Sequence, residues 1–336
     1  MTERLSNIEL LRLVSMLMVV GCHALGYVNE NDLTDPEGVL KLIVSQFLLV
    51  CVNVFVMISG WFGIKASWKG LANLLFQVFF CAILCFLLFL AAGLPVSFRQ
   101  NLAPYLLFGS GYWFVVSYLI LYAVSPVLNT FVQNASKRDF VIALAAFFLA
   151  EFIFGYLLDV GHFDYGFSPL FFIGLYLLAR YARLYPGKCF SMAKRYDILI
   201  YIVATVLSIF GFYFGYKLFG MGFHLNHYDS PLAVAASLFL LIFFSKLNFK
   251  SKAINWLATS AFAIYLFHTN NLIYPYFKKC FEYISSSFTL PVRYCVSTLA
   301  VVLIALICIL ADKPRVLIWK WITNFFKDKQ PRNAIQ

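Results

Sequence analysis

The 336-residue chain is 62% hydrophobic and 19% aromatic, yet only 12% of it is charged, about half the charge of an ordinary soluble domain. That balance excludes a pair of water-coated globules, a disordered chain, a collagen-like repeat and a disulfide scaffold, and leaves a polytopic membrane protein. The surplus of 26 basic over 15 acidic residues is read first as topology and not as a nucleic-acid footprint.

Taken in chain order, apolar stretches of about 20 residues, the length that crosses a bilayer, recur at 8–28, 40–62, 70–93, 112–132, 140–158, 167–184, 198–218, 231–245, 253–275 and 292–311. No ten-residue segments alternate strictly between apolar and polar, so a barrel is excluded. The fold class expected is an all-α polytopic membrane protein with about ten transmembrane helices. Loop charges orient it. With the N-terminus inside, 19 basic residues fall on cytoplasmic segments and six (Lys41, Arg99, Lys217, Lys278, Lys279, Arg293) on the outer side. The outer loops also carry Glu30, Asp32, Asp35, Glu37, Asp159, Asp164, Asp229 and Glu282. Both termini are therefore expected in the cytoplasm.

The first apolar run is long, is interrupted by polar residues and lacks a small-residue cleavage site, so it reads as a structural span and not as a signal peptide. Residues 315–327 interleave Arg and Lys with Val316, Leu317, Ile318, Trp319, Trp321, Ile322, Phe325 and Phe326. This predicts a short interfacial helix after the last span. The division that follows is a membrane domain over 1–312 and a cytoplasmic amphipathic, basic tail over 313–336. Most of the eight cysteines lie within spans, and only Cys280 and Cys295 are placed to meet in an outer compartment.

Ionisable groups inside a bilayer are costly and face a bundle interior or a cavity, which makes the first span informative. It carries Glu9, Arg12 and His23. Arg12 and His23 are eleven positions apart, about 1100° of helix, so their side chains point the same way some 16 Å apart along the axis. Glu9 and Arg12, three apart, are able to pair on that face. The residues alone leave two readings open: a cytoplasmic anchor with a satisfied bundle histidine, or a polar stripe that does chemistry.

Four motifs then occur in order. They are Asn7-x-Glu9-x-x-Arg12 followed by ten residues and His23; Phe55-Val56-Met57-Ile58-Ser59-Gly60-Trp61; Ser110-Gly111-Tyr112-Trp113-Phe114 with Tyr118 and Pro126; and Ile264-Tyr265-Leu266-Phe267-His268. Together they resemble the acyltransferase 3 family of integral-membrane O-acyltransferases, and the resemblance covers most of the chain. It implies ten spans with both ends inside, and transfer of an acyl group, commonly acetyl from acetyl-CoA, to a hydroxyl of a lipid-linked or cell-surface glycan. It also implies a bacterial cytoplasmic membrane, His23 as the catalytic residue and Arg12 as a partner of CoA.

On that basis the expected catalytic set is His23, Arg12 and Glu9, with Arg12 also holding the donor. His23 acts either as a general base or as an acyl carrier, the base being preferred. His268, Glu151, Trp113, Tyr112 and Ser59 are expected at the substrate. His268, at a depth similar to His23, would orient the acceptor, hold an oxyanion, relay a proton or make a structural hydrogen bond. Glu151 would line the cavity or pair with a buried donor. Acetyl-CoA is expected as donor substrate, membrane lipids as surroundings, and neither a metal nor a nucleic acid as partner. The His224-x-x-His227-x-Asp229 loop is a weak metal pattern, and the cluster Arg180, Arg183, Lys188, Lys194 and Arg195 reads mostly as inside charge. A transporter or flippase for a glycan or small anion is the competing class, but the paired halves and interrupted helices of transporters are not evident. Acceptor, acyl type and oligomeric state stay open.

Overall fold

The protein's architecture comes from a computed structural model, which describes residues 4–26, 28, 33–108, 111–158, 160, 163–222 and 224–328. Ser110 of the third motif, and Glu30, Asp32, Asp159, Lys329 and Arg332 among the loop charges, lie outside the described residues. Every regular element among the described residues is helical. The first group comprises α1 (Ser6–Leu25), α2 (Pro36–Leu48), α3 (Cys51–Phe62), α4 (Trp68–Ala91) and the short α5 (Ala103–Leu106). The middle group is α6 (Trp113–Asn134), α7 (Lys137–Ala150) with its π-helical continuation Glu151–Leu157, α8 (Pro169–Leu184), α9 (Lys194–Phe219) and α10 (Pro231–Ser245). The chain ends in α11 (Lys252–Ala258), α12 (Ala261–His268), α13 (Tyr274–Ser287) and α14 (Leu290–Asp328).

Local chemistry sets the starts. Asp35 and Ser168 accept a hydrogen bond from the first turns of α2 and α8, each followed by Pro at the first helical position. A side-chain cap satisfies an otherwise orphaned N–H, and Pro has none to lose there. Ser67, Ser136 and Ser251 cap α4, α7 and α11 in the same way.

Seven segments among the described residues are long and apolar enough to cross a membrane: α1, Pro36–Phe62, α4, α6, Lys137–Leu157, α9 and Leu290–Phe325. The protein is an integral membrane protein of the all-helical class. The other three expected stretches are shorter. α8 has 16 residues and α10 has 15, while 253–275 is broken into α11 and α12 with a turn at Thr259–Ser260. Sixteen residues rise about 24 Å, less than the roughly 30 Å of hydrocarbon. α10 is nonetheless buried over most of its length, which is tenable because a helix walled in by protein has no lipid depth to match.

The end of the chain differs from the sequence-based expectation. Residues 315–327 are not a separate interfacial helix; they continue α14, which runs 39 residues through Pro314, about 58 Å. The boundary expected at 312/313 falls inside it. Asp312 and Arg315, one turn apart and almost fully buried, make two hydrogen-bonded contacts of 2.6 and 2.7 Å, and Gln77 and Asn73 of α4 reach the pair. This ion pair, satisfied on both sides, packs the start of the stretch against α4, where Trp319 stacks on Phe76, while Leu317, Ile318, Trp321 and Phe325 stay exposed. α13 is amphipathic as well: it buries Phe277, Phe281 and Ile284 and exposes Lys278, Lys279 and Tyr283.

α1 is the hub. It lies against α2, α3, α10, α11, α12, α13 and α14, which explains its load of buried polar groups. Asn7 donates from its amide to the carbonyls of Phe244, Ser245 and Leu247 at 2.8–3.2 Å, closing the C-terminal end of α10. α3 and α8 approach closely at Gly60, where a Cβ would sit 2.3 Å from the Tyr176 carbonyl oxygen. The buried Asp197 of α9 meets Lys246 at 2.6 Å. All eight cysteines are free thiols, so Cys280 and Cys295 are not bridged.

Candidate active site

The last turn of α1 and the end of α12 bring two histidines together. His23 Nδ1 and His268 Nε2 are 2.8 Å apart, and His268 Nδ1 lies 2.5 Å from the Ile264 carbonyl oxygen one turn back. A carbonyl only accepts, so His268 Nδ1 carries the hydrogen. A neutral imidazole has a single N–H, so His268 Nε2 accepts. The hydrogen between the rings therefore belongs to Nδ1 of His23, and Nε2 of His23 keeps a lone pair. The chain of groups sets one tautomer, in the way that a base is oriented by a third group behind it.

The surroundings hold this pair in place. Tyr274, from the start of α13, stands edge-on to the His23 ring with centroids 6.2 Å apart, and Phe277 tilts over His268 at 5.4 Å. Tyr112 donates to the Leu266 carbonyl at 2.5 Å, and Asn270 donates to the Tyr112 hydroxyl at 3.4 Å. Tyr105 accepts from the backbone N–H of Asn271 at 2.6 Å. These bonds pin the turn that follows α12, so His268 is held from both of its ends. Trp113, Cys51, Phe55, Tyr228 and Tyr265 share with His23 a small cavity of about 20 Å³, room for one water.

The remaining expected residues fall at different places. Arg12 is half-buried eleven residues before His23, beside the Tyr118 hydroxyl. It forms no ion pair among the described residues. The pairing expected between Glu9 and Arg12 does not form: Glu9 meets Arg4 at 3.5 Å, because Arg4 precedes the helix and folds back on its first turn. Ser59 and Tyr118 share a hydrogen bond of 3.0 Å. Tyr112 is buried with its hydroxyl committed to the scaffold, and Trp113 lines the cavity.

Glu151 does not line that cavity. It opens the π-helical turn after α7, is 2% exposed, and neither of its carboxylate oxygens has a hydrogen-bond partner among the described residues. Its electrostatic neighbour is Asp229. His224 and His227 sit with ring centroids 5.2 Å apart, both against Tyr165. Among the described residues no three His, Cys, Asp or Glu side chains converge as metal ligands. Of the inner basic cluster, Arg183 donates to the Trp61 carbonyl at 2.7 Å and covers the Trp61 and Phe62 rings. That arginine holds the end of α3.

Sequence reasoning missed Cys51 and Tyr228 in the cavity wall, Tyr274 against His23, and the Asp312–Arg315 pair. An opposite-charge i, i+3 pair at the end of an apolar run was the available signal for the last; for the others there was none, since such residues occur throughout this chain. The family described as acyltransferase domain matches residues 5–310. No curated protein and no solved structure matches the chain.

Proposed function

Since the chain belongs to the acyltransferase 3 family, we propose that it is a membrane O-acyltransferase that moves an acyl group, most simply acetyl, from cytoplasmic acyl-CoA to a hydroxyl of a cell-surface polysaccharide or its lipid-linked precursor. The observation that carries the reading is the Ile264–His268–His23 chain of hydrogen bonds beside a small cavity. It leaves Nε2 of His23 as a base with a defined direction. Ten membrane crossings with both termini in the cytoplasm, in a bacterial inner membrane, complete the proposal; the 19-to-6 partition of basic residues supports that orientation.

In this reading Nε2 of His23 takes the proton of the acceptor hydroxyl as the oxygen attacks the thioester carbonyl. The C–S bond then breaks, and the proton on His23 passes to the departing sulfur, giving the ester and the free thiol. Nδ1 of His23 keeps its hydrogen bond to His268 throughout, so the positive charge borne briefly by the ring has an acceptor facing it. Arg12 faces the other requirement. A guanidinium without an ion-pair partner among the described residues, on the same stripe of α1 about 16 Å from His23, suits the phosphates of a donor whose thioester must reach deep into the bundle.

The test is acyl transfer from labelled acetyl-CoA in membranes carrying the full chain. His23→Ala is expected to abolish transfer while the protein inserts at normal abundance. Retention of normal transfer by that variant would sink the assignment. Mass analysis of the surface glycan with and without the protein identifies the acyl group and its acceptor.

A further inference from the structure

The small cavity beside His23 lies on the same stripe of α1 as Arg12. Arg12, Met16, Val19 and His23 are spaced i, i+4, i+7 and i+11, which puts them on one face of the helix. Met16, Val19 and His23 all line the cavity. Of the two histidines only His23 does so, and His268 borders a separate space. A donor held at Arg12 and extended along this stripe brings its far end, the acyl group, to the cavity.

The space is small and its walls are stiff. At about 20 Å³ it has room for one water, and so for one methyl group. Val19 of α1 and Val52 of α3 line it from two helices packed together, and each valine is 6% exposed. A β-branched residue in a helix has one strongly preferred χ1, so neither side chain can turn aside. Phe55, on the turn after Val52, is held against the rings of Phe114 and Phe262 at 5.8 and 6.0 Å. Met16 differs, because an unbranched thioether adapts to what it touches. Among the described residues no Lys, Arg, Asp or Glu lines the cavity, and the thiols of Cys22 and Cys51 hydrogen-bond each other. A charge carried in on a ligand would lose its water here and meet no counter-ion.

We propose that Val19 and Val52 are the residues that determine acyl specificity, closing a pocket beside His23 that takes the methyl of an acetyl group and refuses both longer acyl groups and those that end in a carboxylate. The inference rests on the acyltransferase reading, which it deepens by fixing the size and charge of the group transferred. Each methylene beyond acetyl has to displace a valine methyl that has no second rotamer to adopt. A succinyl group fails twice, once by length and once by the charge at its end. Met16 sets no limit, because its side chain yields.

Donor competition tests this. Membranes carrying the full chain are supplied with equimolar acetyl-, propionyl-, butyryl- and succinyl-CoA, and mass analysis counts the acyl groups on the surface glycan. The ratio of products is internal to each preparation, so a variant that inserts poorly still reports. One methylene too many is expected to lower transfer about 10- to 200-fold, which leaves propionyl scarce and butyryl and succinyl absent. Val19→Ala and Val52→Ala each cut the wall back and are expected to raise the propionyl-to-acetyl ratio about 10-fold. The double variant should add butyryl, while succinyl stays excluded by its charge. Val132→Ala, in the separate apolar cluster with Phe140 and Leu144, should leave the ratio unchanged. Equal use of acetyl and butyryl by the unaltered chain, efficient transfer of succinyl, or a ratio that both valine variants leave unmoved would each overturn the pocket while the acyltransferase reading stands. Transfer from none of the four thioesters would overturn that reading and the pocket with it, so the two failures give different results.

Discussion

His23 and His268, 245 positions apart in the chain, share one hydrogen bond of 2.8 Å, and its direction is dictated by a third group, the Ile264 carbonyl behind His268. On the proposed mechanism His268 would act through His23 as a positioning residue, and its replacements should separate positioning from mere packing.

His268→Leu removes the acceptor for Nδ1 of His23 and frees that ring to change tautomer. A base left in the wrong tautomer loses up to about 10⁴-fold in kcat, and the loss is expected here in kcat with the donor KM unchanged. His268→Gln offers a carbonyl oxygen near the former Nε2 position and should recover part of the rate. Steady-state kinetics on the two variants decide it; equal rates for Leu and Gln would mean that the hydrogen bond to His23 is irrelevant.

Arg12→Gln should act on the donor. A charge-assisted hydrogen bond to an anion contributes about 1.5–3 kcal/mol, so the KM for acyl-CoA is expected to rise by roughly 10- to 100-fold with a smaller change in kcat. Arg12→Lys should fall between the two, since the ammonium keeps the charge and loses the fork. Titrating acyl-CoA at saturating acceptor measures this; a change confined to kcat would remove Arg12 from the donor site.

Gly60→Ala tests the contact between α3 and α8. The added Cβ would lie 2.3 Å from the Tyr176 carbonyl oxygen, and backbone on that side cannot swing away as a side-chain tip would. Overpacking of this kind costs about 1–3 kcal/mol. The expected result is a lower thermal midpoint in detergent, with the remaining folded fraction still active.

Asp312→Asn leaves Arg315 charged and buried without its partner, which costs on the order of 3–5 kcal/mol. Replacing both residues with apolar ones of similar volume, Asp312→Leu with Arg315→Met, removes the desolvated charges together and should restore much of the midpoint. Thermal unfolding of the single and double variants reads the difference; a double variant as unstable as the single one would show that the pair contributes more than mutual neutralisation.

The amino-acid sequence by itself determined the helical membrane class, because apolar runs of about 20 residues with charges gathered between them have no soluble alternative. It also singled out Arg12 and His23, since 3.6-residue periodicity places an eleven-residue spacing on one face. Local pattern reached further than local pairing: Glu9 turned to Arg4, outside the helix, where periodicity pointed to Arg12. Pattern also set a helix boundary that is not there, because the basic, aromatic composition of 315–327 looks the same whether a helix ends or simply continues past Pro314. Only the tertiary structure decided what His23 can do. The identity of the nitrogen that keeps its lone pair depends on His268 and on a backbone carbonyl, and no spacing within α1 encodes a hydrogen bond made 245 residues away.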